Sequence, residues 1–203
     1  MVAFIVPILA TSEEEEDRDA LKPLHDPLRL ATYTPISPAS VIVFREGEYA
    51  VAVDGKTKEV IARSTDHAEV IQKAIDSAPN KGIVALMNEF KRRKTIYIMK
   101  PVTIVGGKIV VEPETDDGIY RVFHVENTSD VRIVGVELDG NQSNIPTWTG
   151  NRLDYHTIEV RSCERVVIRG CYIHDVYAGA GIAVRLSNIV SVVNNFLQNM
   201  GTV

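Results

Sequence analysis

The chain lacks most of the features that commonly mark a function. It has two cysteines, Cys163 and Cys171, and their spacing fits neither a zinc site nor a redox pair. A fold held by several disulfides is excluded, and 203 residues can bury enough surface to do without them. There is no surplus of basic charge: 22 Lys and Arg face 27 Asp and Glu, a net charge of −5. That argues against a general nucleic-acid binder, since phosphate recognition needs a cationic stripe. The one dense basic run, Lys91-Arg92-Arg93-Lys94, reads as a solvated turn before a strand at Thr95–Met99. Aromatic residues make up 6%, with a single tryptophan, Trp148. Nor is the apolar stretch Met1–Ala10 long enough to cross a bilayer, which takes about 20 residues as a helix.

What is present is ordered along the chain. Residues 1–40 begin apolar, turn acidic at Glu13–Glu16 and carry Pro23, Pro27, Pro35 and Pro38, a signal-like and linker-like arm without a positive start. Residues 41–64 alternate around Glu46-Gly47-Glu48 and Asp54-Gly55, which predicts a β-hairpin leader. A helix follows over 66–78. Asp66 is its expected N-cap with Glu69 as reciprocal partner, and Val70, Ile71, Ala74, Ile75 and Ala78 form one apolar face.

From Lys94 onward the chain repeats. Val131–Leu138, Val166–Ile173 and Val190–Leu197 are apolar at their first, third and eighth positions, with Gly or Asn at the fifth; Val102–Ile109 is a weaker copy. A second strand precedes the last three blocks, at Val125, Val160 and Val184. The shortest interval suits one coil of three short strands and three turns, and the longest adds an insert at 139–154. One such coil cannot bury its inner side chains, but a stack can. The expected architecture is all-β: a right-handed, single-stranded parallel β-helix over 65–203, with an N-terminal capping helix and a leading hairpin. The Gly/Asn corner should need positive φ. The last coil should lead into another strand, so further coils, self-association or a partner are expected at that open edge.

Thr65-Asp66-His67-Ala68-Glu69-Val70-Ile71-Gln72-Lys73-Ala74-Ile75-Asp76 resembles the "IQ-AID" cap of the pectate-lyase-like β-helix superfamily, and Val41–Ala62 resembles the leader of its archaeal and viral members. The resemblance covers about residues 41–203 and is specific for fold. It implies lyases, epimerases, hydrolases, tailspikes or adhesins equally.

The candidate catalytic residues are Asp154, His156 and Glu159, leaving the insert, with His174 and Asp175 one coil later near the same edge. Asp154 and His156 match the Asp-Pro-His-Glu motif of alginate epimerases, but Tyr155 stands for its proline and Thr157 for its glutamate. The alternative is loop polarity with a structural histidine. Candidate substrate-binding residues are Trp148, Tyr155, Asp139 and Arg185. Hydrolysis would use two carboxyl groups, whereas lyase or epimerase chemistry would use a base and a cation facing a uronate. No cofactor is required by any motif; calcium is the one candidate, and the Asp116-Asp117 loop offers no ligands at recognisable spacing. Two function classes follow. One is a secreted or surface carbohydrate-active protein acting on a polysaccharide. The other is a non-catalytic structural or receptor-binding wall on a cell or virion.

Overall fold

The computed structural model describes residues 38–115, 121–145, 156–177 and 179–201. The arm up to residue 37, the Asp116-Asp117 loop and the insert residues Trp148, Asp154 and Tyr155 lie outside them.

The leader is a three-stranded antiparallel meander that turns at both expected places, after Glu46 and after Asp54. Strands β1 (Val41–Glu46), β2 (Tyr49–Asp54) and β3 (Val60–Ser64) pair in order. Helix α1 (His67–Ser77) follows, and all five residues of its expected apolar face are buried. Asp66 caps it by accepting from the Glu69 N–H at 3.1 Å. The return bond from the Glu69 carboxylate is not made. Ser64 Oγ takes the Asp66 N–H at 3.1 Å, while Glu69 pairs with Lys73 one turn further on at 2.7 Å.

After the helix the chain runs through strands three at a time. The first round is β4 (Gly82–Leu86), β5 (Glu89–Arg92) and β6 (Ile96–Ile98). The next is β7 (Val102–Val105), β8 (Lys108–Val111) and β9 (Phe123–Glu126), followed by β10 (Arg132–Val134), β11 (Glu137–Asp139) and β12 (Ile158–Arg161). Then come β13 (Glu164–Arg169), β14 (Tyr172–Val176) and β15 (Ile182–Arg185), and finally β16 (Asn188–Val193) and β17 (Phe196–Met200). From β7 onward each strand pairs in parallel with the third strand before it, and β4 pairs in the same way with β1. Sheet I has the order β16-β13-β10-β7-β4-β1-β2-β3, sheet II β17-β14-β11-β8-β5 and sheet III β15-β12-β9-β6.

The first round lies earlier than the repeat in the sequence indicates. Its strand β5 contains Lys91 and Arg92, so the basic run is not a solvated turn at that point. Arg92 is fully buried, its backbone in register with Val111, and its guanidinium donates to Thr95 Oγ1 at 3.0 Å. A run of cations reads as surface, but strand pairing carries one of them inward.

Register explains why the apolar positions recur. Val84, Ile104, Ile133 and Ile168 are successive partners in sheet I, as are Phe90, Ile109, Leu138 and Ile173 in sheet II. Ile98, Val125 and Val160 do the same in sheet III. All of these are fully buried and belong to one core shared by the three sheets. Each such side chain contributes about 1.5–3 kcal/mol by leaving water. The corner between sheets I and II is turned by Gly106, Gly135, Gly170 and Asn194, with φ of 70°, 61°, 63° and 53°. Beside the last, Asn195 reaches back one round, accepting from Cys171 N–H at 2.9 Å and donating to the Ile168 carbonyl at 3.0 Å. Cys163 and Cys171 are both buried free thiols, and burial pushes that of Cys171 up to about 11.

The start of this array is closed on each sheet. On sheet I, β1 pairs in parallel with β4 and carries the meander with it. On sheet II, the first strand gives its Lys91 N–H to His67 Nδ1 of α1 at 3.0 Å. On sheet III, the Gln72 side chain imitates a neighbouring strand. Its Oε1 accepts from Tyr97 N–H at 2.8 Å, and its Nε2 donates to the Tyr97 carbonyl at 3.0 Å.

Candidate functional site

Side chains alternate across a strand. With Leu138 and Ile173 pointing inward, Asp139 and His174 stand on the outer face of sheet II, in register on neighbouring strands. Glu137 stands beside them, in register with Lys108. At Asp175 the backbone turns to φ 50°, bringing its carboxylate back to its neighbour, so Asp175 Oδ2 lies 2.7 Å from His174 Nδ1. The other ring nitrogen, Nε2, lies 3.2 Å from Glu137 Oε1. Two carboxylates thus face the two nitrogens of one imidazole, an arrangement in which both nitrogens donate.

The charges alternate along the face. Lys108 Nζ is 3.1 Å from both Glu137 Oε1 and Asp139 Oδ2. Burial disfavours the charged His174, but the bonds to Glu137 and Asp175 outweigh it and raise its pKa above the ordinary histidine value. The His174 hydrogen bond holds Glu137 below the ordinary glutamate range, against its burial and with help from Lys108. Asp175 is likewise lowered: burial opposes, but His174 and Asn199 prevail, the latter donating to Oδ1 at 2.8 Å. Lys108 is raised despite desolvation by its hydrogen bonds to Glu137 and Asp139.

The insert opens from this face. Asp139 Oδ1 accepts from Asn141 N–H at 2.9 Å, and a 3₁₀ turn spans Gln142–Asn144. Between turn and wall lies an open pocket of about 470 Å³ lined by Asp139, Asn141, Gln142, Ser143 and Asp175. Gly140 passes tightly against β14, where a Cβ would sit 2.5 Å from the Asp175 carbonyl oxygen. Ligand atoms of Asp139, His174 and Asp175 lie within 4.8 Å of one another, a group that could hold a metal ion.

The other described candidates, His156, Glu159 and Arg185, lie on a different wall. Glu159, on the outer face of sheet III and in register with His124, is only 2% exposed. Its Oε2 lies 2.6 Å from Arg121 Nη2 and 3.2 Å from His124 Nδ1, and its Oε1 lies 3.6 Å from Arg185 Nη1. Arg185 Nη2 in turn lies 3.0 Å from His156 Nε2. Ion pairs this deeply buried are expensive to desolvate.

No family model, curated protein or solved structure matches the chain.

The expected single cluster is therefore two clusters. Asp139, His174 and Asp175 come together on sheet II, and His156, Glu159 and Arg185 come together on sheet III. Arg185 does not extend the His174 group, because the strand that carries it pairs with β12. Four partners are missing from the sequence reading: Lys108, Glu137, Arg121 and His124. Three of them share repeat positions visible in the sequence. Lys108, Glu137 and Tyr172 occupy the seventh position of their repeats, and His124, Glu159 and Ala183 share the position before the valines of sheet III. These outward positions form columns just as the inward ones do.

Proposed function

We propose that the chain is a right-handed parallel β-helix that binds a polysaccharide along its outer wall and cleaves it hydrolytically beside His174. The three-strand rounds support the helical reading, and the handedness follows from the rule for parallel crossovers. The observation that carries the functional reading is the Asp139–His174–Asp175 group at the edge of an open pocket lined by carboxylate, amide and hydroxyl groups. Such linings suit sugar hydroxyls, and hydrolysis needs a proton donor and a base: the His174 imidazolium would protonate the leaving oxygen, and an aspartate carboxylate would take the proton of the attacking water. Lyase or epimerase chemistry fits less well. It needs a cation facing the uronate, and Lys108 is engaged by Glu137 and Asp139.

Calcium does not suit this donor set. It seeks six to eight oxygens, whereas here one donor is an imidazole and the Lys108 ammonium already sits 3.1 Å from Asp139. No step is assigned to it. A polysaccharide substrate would place the protein outside the cell or on a virion surface.

The test is a panel of neutral and acidic polysaccharides, with binding and reducing-end release measured separately. Wild type is expected to bind and release ends. Asp139→Asn and Asp175→Asn should each cut release by about 10²-fold or more while binding persists. Binding without release in the wild type would favour the receptor-binding alternative. Failure to bind any glycan would remove the carbohydrate reading.

A further inference from the structure

On the outer wall of sheet II, one nitrogen and two carboxylate oxygens converge. His174 Nδ1 lies 2.7 Å from Asp175 Oδ2 and 4.0 Å from Asp139 Oδ1. A tetrahedral zinc ion takes a histidine nitrogen at about 2.0–2.1 Å and carboxylate oxygens at about 2.0–2.2 Å, which sets neighbouring ligand atoms about 3.3–3.5 Å apart. That spacing falls between the two observed distances. The Asp175 side chain, 42% exposed, has room to give way as an ion enters.

Each ligand is also held from behind. His174 Nε2 lies 3.2 Å from Glu137 Oε1, so a proton on Nε2 leaves Nδ1 to coordinate. A metal-bound histidine characteristically gives its other N–H to a carboxylate in this way, which fixes the ring. Asn199 donates to Asp175 Oδ1 at 2.8 Å, and Oδ2 is the oxygen turned to the imidazole. Lys108 Nζ sits 3.1 Å from Asp139 Oδ2, and Oδ1 is the oxygen turned to His174. These supports come from β8, β11 and β17, so the register that stacks the core also sets the site. Charge balances as well: Glu137, Asp139 and Asp175 are offset by Lys108 and one divalent ion.

We propose that Asp139, His174 and Asp175 bind a zinc-class divalent ion through three protein ligands, with the fourth position toward the pocket that both aspartates line. An imidazole in the set favours zinc and its neighbours over calcium or magnesium, and one oxygen from each carboxylate is enough for a tetrahedral ion. The inference concerns the same wall as the hydrolytic reading but does not rest on it, because it needs no polysaccharide. Where both hold, the ion takes the place of the proton between His174 and Asp175, and zinc inhibits end release.

Calorimetric titration of the 203-residue chain with zinc chloride, in the absence of polysaccharide, tests it. Wild type is expected to bind, and zinc should raise its melting temperature. His174→Gln should weaken binding by at least about 10²-fold and Asp139→Asn by at least about tenfold, and the thermal shift of His174→Gln should vanish. Asp175→Asn, at a partly exposed position, keeps the test valid if His174→Gln perturbs folding, and it should also lose at least about tenfold. Glu137→Gln removes no ligand, and a positioning role predicts a loss of about 10–100-fold. Glu89→Gln lowers the charge of the same wall without touching a ligand and should leave the affinity unchanged. No zinc binding by wild type would overturn the inference, as would binding indifferent to all three ligand substitutions or tighter binding of calcium than of zinc. A chain that binds zinc but no glycan keeps this inference and loses the carbohydrate reading; a chain that binds glycan but no zinc does the reverse.

Discussion

At the scale of single residues, His174 concentrates the electrostatics of the sheet II wall. Its raised pKa means that its contribution to stability is complete below the ordinary histidine value of about 6.5 and is lost as pH rises through the folded-state value. Glu137 and Asp175 are lowered, so theirs is complete above the ordinary carboxylate values of about 4 and is lost as pH falls through the folded-state values. The site therefore stabilises the fold most between about pH 4.5 and 6.5. Thermal melts of wild type and His174→Gln should differ most in that window and converge at higher pH; a constant difference across pH would contradict the two-carboxylate geometry. Little of this was legible in the sequence. Asp139, His174 and Asp175 stood out as polar residues near turns. Glu137 and Lys108 share an outward position of the repeat, but their pairing with His174 and Asp139 is set by side-chain geometry that the repeat does not specify.

At the scale of elements, α1 works through its side chains as much as through its apolar stripe. The stripe was readable from spacing, and so was the Asp66 cap. What spacing could not supply was the use of Gln72 as a substitute strand, since its partner Tyr97 is met only after the chain has turned back on itself. Gln72→Ala removes three hydrogen bonds, an exposed one to Asp76 Oδ1 and the two that serve the Tyr97 N–H and carbonyl. The expected loss is about 1–3 kcal/mol in chemical denaturation, with faster hydrogen exchange at the Tyr97 amide. An unchanged exchange rate there would show that the amide does not serve as an edge. The failed reciprocal half of the cap has a similar origin. Ser64 and Lys73 competed for the same groups, and the sequence pattern ranks neither.

At the scale of the whole molecule, the inner columns were the most legible feature, because each round repeats the demand of the last. Val131, Val166 and Val190 open equivalent blocks of the sequence and stand in one stack. Of the earliest round only β6 was legible, inside the expected strand Thr95–Met99; β5 was not, because it carries cations. A substitution in mid-column should be felt on both sides. Ile133→Ala, flanked by Ile104 and Ile168, should cost about 2–5 kcal/mol, whereas Leu186→Ala, 81% exposed, should change monomer stability by no more than about 0.5 kcal/mol. Equal effects would mean that the columns do not carry the fold.

The sealed start also gives the array a direction in time. The meander and α1 precede every round in the chain, so they leave the ribosome first and can fold from local contacts. Each new segment then emerges onto a finished ledge of paired strands, and the slow long-range search that parallel sheets otherwise require shrinks to a short one repeated.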